Sequence, residues 1–192
     1  MKTKTETKSL RVHNISYSAN NLLNVGIMYS PDSGDRNAFF IMVSLIPGAT
    51  SNQSASGRTF VMSKAINMKI TPEKLDAISG AIAALAQKKG QFFGEKFTVF
   101  TDPSKSSNVV SENSNKKSLH IAYPSQANNG NQNGLSTVIT VKSGSESISI
   151  PIPALDAIGL SNSLKFLASK CRDLEYNRSE KRLFAKMKSL AN

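Results

Sequence analysis

Residues 65–89 read AINMKITPEKLDAISGAIAALAQKK, and this stretch decides the fold. Ile66, Met68 and Ile70 alternate with Asn67 and Lys69, the period of a strand that buries one face. Thr71-Pro72-Glu73 then turns the chain into a helix. The threonine hydroxyl can accept from an unpaired amide of the first turn, the proline suits the first helical position, and the glutamate lies at the positive end of the helix dipole. Leu75, Ile78, Ile82 and Leu85 recur at helical spacing and give the helix one apolar stripe.

The same plan occurs a second time. Residues 147–170, SISIPIPALDAIGLSNSLKFLASK, are again an alternating strand, proline punctuation and an amphipathic helix. The tetrapeptide LDAI stands at 75–78 and at 155–158, an offset of 80. At that offset Ile70 meets Ile150, and upstream 39–43 (FFIMV) meets 119–123 (LHIAY). Three elements in one register indicate an internal duplication.

Working outward, strands are expected at 10–17, 22–29 and 38–46, with a turn-forming link, SPDSGDRN, joining the last two. After a polar loop (47–57), residues 58–64 read as a strand that bends before the one entering the first helix. In the second half strands are expected at 96–101, 117–123, 135–142 and 147–152, the last two paired across Ser143-Gly144-Ser145. A helix over 154–176 carries Leu160, Leu164, Leu167, Cys171 and Leu174 on one face. Residues 177–190 read as a further basic helix, with Leu183, Phe184, Met187 and Leu190 set against Arg178, Lys181, Arg182, Lys186 and Lys188. Hairpins grouped before each helix argue for α+β over α/β, because parallel strands need a crossover between them. The expected organisation is a flexible arm (1–8), one domain (9–176) made of repeats 9–90 and 91–176, and a basic helical tail (177–192).

The 192-residue chain has a formal charge of +11 and an isoelectric point near 9.8. Up to Gly90 there are eleven Lys and Arg against five Asp and Glu, and after it thirteen against eight, so the excess is spread over both repeats. That balance points to a polyanionic partner, nucleic acid before membrane. No run approaches the roughly 18 apolar residues of a membrane span, and the polar MKTKTETKSL is no secretory signal, so an intracellular protein is expected. Cys171 is the lone cysteine, which excludes an internal disulfide and a cysteine metal cage and suits a buried packing residue. His13 and His120 lie far apart without ligands at metal spacing, and no phosphate loop, nucleophile elbow or paired-carboxylate motif occurs. Neither an enzyme nor a cofactor is expected.

The run FFIMVSLIP, a Ser/Gly loop, a basic strand and MKITPEKLDAISGAI together resemble the single-stranded-DNA-binding domain of the positive-coactivator-four family. Where one polypeptide carries two such units, as in the plant Whirly proteins and the trypanosome guide-RNA-binding proteins, the order is four strands, helix, four strands, helix. The resemblance implies a Whirly-like duplicated ββββα unit: two antiparallel four-stranded sheets with packed helices, here followed by a C-terminal basic helix. It also implies single-stranded DNA as partner, and a homo-oligomer. The coactivators' Gly-Arg-Lys-Gly cluster is replaced by Lys64-Ala65-Ile66-Asn67, so Lys64 alone carries over, and the Whirly Lys-Gly-Lys-Ala motif is absent. The Asn- and Ser-rich composition, compact length and lack of Trp suit a bacteriophage protein.

Binding single strands requires cations for phosphates and flat side chains on which bases stack. If Phe39, Ile41 and Val43 face the helices, Phe40 points outward; His120 takes the same place in the other repeat, and Phe60 extends the platform. Phosphate candidates on or beside strands are Arg11, Arg58, Lys64, Lys69, Lys116, Lys117 and Lys142. The function expected is sequence-independent binding of single-stranded DNA in replication, recombination or repair. Two alternatives stand beside it: an RNA-annealing protein, and an assembly protein whose exposed Phe residues form subunit contacts.

Overall fold

The structure, a computed structural model, describes residues 10–30, 38–49, 59–87, 96–101, 117–122 and 135–190. Strands β1 (Leu10–Ser18), β2 (Leu22–Tyr29), β3 (Phe39–Ile46) and β4 (Ile66–Ile70) form one antiparallel sheet in sequential order, and helix α1 (Pro72–Gln87) follows. Strands β5 (Lys96–Thr101), β6 (Lys117–Ala122), β7 (Leu135–Ser143) and β8 (Glu146–Pro153) form a second, again in sequential order, and α2 (Ala154–Leu190) closes the repeat. The expected α+β architecture, a ββββα unit made twice, is therefore present.

Register follows from burying one face of each sheet, because slipping a strand by one residue would put its apolar set in water. Ile27, Ile41 and Ile70 lie across from one another in the first sheet, as do Val25, Val43 and Met68. In the second sheet Ile121, Ile139 and Ile150 form the matching row, beside Leu119, Val141 and Ile148. These rows join Leu75, Ile78 and Ile82 of α1 and Leu160, Leu164 and Leu167 of α2 in one continuous core. Each such side chain contributes about 1.5–3 kcal/mol on leaving water. Helix α1 touches β3 of its own sheet but β5, β6 and β7 of the other, and α2 touches both sheets, so neither repeat owns a separate core.

The helices meet at a pair of buried serines. Ser79 Oγ donates to the Ser161 carbonyl at 2.8 Å, and Ser161 Oγ donates to the Ser79 carbonyl at 2.9 Å. Small side chains there let the backbones approach, and each hydroxyl takes a partner from the other helix. Both aspartates of the repeated LDAI are also held from the opposite repeat. Arg172 of α2 bonds Asp76 at 2.6 Å, and the Tyr17 hydroxyl of β1 donates to Asp156 at 3.0 Å. Asn21 joins three segments, since its Oδ1 accepts from the Gly48 amide at 2.9 Å while its Nδ2 donates to the Ser149 carbonyl at 2.6 Å. A Cβ on Gly48 would stand 2.2 Å from the Asn20 carbonyl oxygen, so only glycine fits. Gly144 supplies the positive φ (58°) of the tight β7–β8 turn.

Three expectations are corrected. The strand expected over 58–64 is not formed by its described part, 59–64: Phe60 makes a single bridge with Gly48, and Met62–Lys64 coil into one 3-10 turn. The pairing of FFIMV with LHIAY matches the third strand of one repeat with the second strand of the other, so the common offset holds only from β4 and β8 onward. Its cause is loop length, for β3 and β4 are separated by residues 47–65 whereas β7 and β8 are joined across 144–145. Finally, 154–176 and 177–190 are helical as expected, but in one unbroken helix of 37 residues.

Candidate nucleic-acid interface

With the inner faces packed on the helices, the opposite face of each sheet remains, although on the first sheet Asn24, Phe40 and Ser44 are buried there and only its exposed margins can meet a ligand. Across the first sheet it carries cross-strand rows: Arg11, Met28 and Phe40; then Asn14, Gly26, Met42 and Lys69; then Ser16, Asn24, Ser44 and Asn67. Across the second it carries Thr98, His120, Thr140 and Ser149, beside Ser118, Lys142 and Ser147. Alternation puts these amides, hydroxyls and cations outward wherever a branched aliphatic goes inward.

Carboxylates are distributed unevenly between the element types: the helices carry six beside nine Lys and Arg, and the strands carry one. The eight strands contain Arg11, Lys69, Lys96, Lys117 and Lys142 but a single carboxylate, Glu146, at the start of β8. The described helices hold the other described carboxylates, Glu73, Asp76, Asp156, Asp173, Glu175 and Glu180. Several of these are engaged internally. Glu73 lies at the start of α1, where its own backbone amide, then the Thr71 hydroxyl and Arg172 hold its carboxyl below the usual range. Glu175 accepts from the Phe39 amide at 3.0 Å and from Arg178 at 2.9 Å.

The expected binding residues divide. Arg11, Lys69 and Lys142 are exposed on the outer faces, Arg11 and Lys69 on the first sheet and Lys142 on the second. Lys64 is exposed, but on the 3-10 turn and not on a strand. Lys117 is half-buried and donates to the Asn67 carbonyl at 2.8 Å, so it ties the two sheets together. Arg58 and Lys116 lie outside the described residues.

The stacking platform is corrected. Phe40 does point away from the helices, yet only 7% of it is exposed, because the Lys69 ammonium sits 4.2 Å from its ring centroid and Met28 is its cross-strand neighbour. His120 is half-buried, with Nδ1 2.9 Å from Thr98 Oγ1 and Nε2 2.8 Å from Ser118 Oγ. It lies on β6, so it is not the counterpart of Phe40 on β3. Phe60 is half-buried at its bridge. Among the described residues the exposed aromatics are instead Phe97 on β5 and Phe166, Tyr176 and Phe184 on α2.

A groove of about 580 Å³ runs beside Lys69, between the start of α1 and the middle of α2. Lys69, Lys74 and Arg172 line it together with Glu73 and Glu175, a balance that disfavours a phosphate. Cys171 lies at its base, and burial, then Glu175 and Glu73, push the thiol up to about 11, which keeps it unreactive at neutral pH. Among the described residues no cluster of His, Cys, Asp and Glu could hold a metal, and no helix is long and apolar enough to cross a membrane.

No family model matches the chain, and no curated protein matches it in sequence. Among solved structures, the crystal structure of WHY1 from Arabidopsis thaliana is similar at 21% identity, over 84% of this chain and 90% of that one, with a TM-score of 0.48.

Proposed function

We infer that this protein binds single-stranded DNA without sequence preference, along the outer faces of its two sheets, and coats strands exposed in replication, recombination or repair. The observation that carries this reading is the charge of the outer faces: Arg11, Lys69 and Lys142 stand exposed there among Ser, Thr, Asn and Met side chains, and the eight strands hold a single carboxylate, Glu146. Such a surface neutralises phosphates and hydrogen-bonds sugars and bases without demanding one base, so counterion release dominates the affinity. With Phe40 covered, stacking contributes less than in a platform of free rings. The reading is of a binding protein and not an enzyme.

Anisotropy of a labelled oligo-dT across a salt series tests it. Each phosphate neutralised on a single strand adds about 0.7 to the slope of log affinity against log salt. Replacing Arg11, Lys69 and Lys142 by Ala should therefore reduce the slope by about 2, with no change in fold. An unchanged slope, or equal affinity for duplex, contradicts the reading. Competition by oligo-U against oligo-dT of the same length then decides between RNA and DNA.

A further inference from the structure

Helix α2 changes sides along its length. In its first part Ala157, Leu160, Leu164, Leu167 and Cys171 are buried on the body of the protein. From Ser179 to Leu190 every residue is exposed, so the helix runs on for roughly 18 Å beyond its last packed turn. Leu183, Met187 and Leu190, in line with Tyr176 and flanked by Phe184, form an apolar stripe on this extension. At 100° per residue that stripe lies roughly 140° around the helix from the buried one. It therefore points away from the molecule's own core. The basic residues Arg178, Lys181 and Arg182 continue the line of the buried face.

The outward stripe does not begin at the extension. Leu155, Ile158 and Phe166 stand on the same side of the first part and are 85%, 43% and 63% exposed. Eight of the twelve exposed large apolar residues among the described ones thus share one side of one helix, a concentration that marks an interaction surface.

We propose that this stripe packs against the same stripe of a second copy of this chain, with the two α2 helices antiparallel. The stripe is self-complementary when reversed. Pairing about the midpoint between Arg172 and Asp173 sets Leu155 against the partner's Leu190, Ile158 against the partner's Met187, and Lys165 against the partner's Glu180. Lys165 and Glu180 are exposed within the stripe, and neither has an opposite charge three or four residues away on its own helix. A two-fold partner supplies one to each. Antiparallel packing also opposes the helix dipoles and keeps the two basic extensions apart. Glu180 and Asp173 within the stripe disfavour an anionic bilayer as the occupant.

Sedimentation velocity of the full chain, without nucleic acid and over a dilution series, tests the proposal. The wild type should sediment as a dimer, and L183K/M187K, which alters two side chains that are more than half exposed, as a folded monomer. K165E alone and E180K alone should each weaken the dimer about tenfold, since two contacts turn repulsive at once. K165E/E180K should restore it to within about threefold, which no general loss of structure would do. A wild type that stays monomeric at its solubility limit overturns the proposal, as does a double reversal that fails to recover. A monomer that floats with phosphatidylglycerol vesicles overturns it too, in favour of a membrane surface.

Discussion

Tyr17 shows how one side chain couples the repeats. Burial, then the hydrogen bond and the charge of Asp156, push its hydroxyl from 10.0 up to about 12. The unfolded chain ionises first, so this contribution to stability is whole below about pH 10 and is lost as pH rises toward 12. Denaturant titrations between those limits should show stability falling less steeply in Y17F than in the wild type; equal slopes would mean that the phenol does not hold Asp156. Other residues were legible in the sequence to different degrees. Thr71 was, since a cap is a local device: the Lys74 amide donates to Thr71 Oγ1 at 3.4 Å. Phe40 was legible in direction and not in exposure, because parity fixes the face while a cross-strand Lys69 decides what covers it. Lys117 read as a phosphate contact because its partner, the Asn67 carbonyl, belongs to the other sheet.

At the scale of elements, the helix crossing is the joint on which the duplication turns. The reciprocal bonds between Ser79 and Ser161 predict that S79A and S161A each cost about 1 kcal/mol. The two losses should not add, because both bonds depend on the same close approach, and a double-mutant cycle in urea should show coupling of about 0.5 kcal/mol or more. Strict additivity would mean that the helices meet without depending on this pair. Strand periodicity and the repeated LDAI made β4, β8 and both helix starts readable, since each depends on neighbours in sequence. The counterpart of β3 was not readable from a fixed offset, because the β3–β4 connection is far longer than the β7–β8 turn. The reversal along α2 is written in the sequence as a phase shift between Leu174 and Leu183. It becomes visible only once the helix is known to run through Asn177 without a break.

For the molecule as a whole, the described carboxylates, all but Glu146, are gathered on helices, and the sheets on their shared core keep Arg11, Lys69 and Lys142 exposed on their outer faces. Five cations against one carboxylate give the strands a net +4 of the chain's +11, so the charge is not confined to one basic tail. Charge balance per repeat was legible in the residues alone; which cations were free to act was not, since that depends on which carbonyl or ring each one meets. The central claim is that the sheets hold the strand of DNA. Photo-cross-linking with a thiothymidine-substituted oligo-dT, followed by peptide mapping, tests this most directly. Adducts should fall on the peptides of β1, β4 and β7 that carry Arg11, Lys69 and Lys142, and unlabelled oligo-dT should compete them away. Adducts confined to 178–188 of α2, or none that single strands compete away better than duplex, would contradict it.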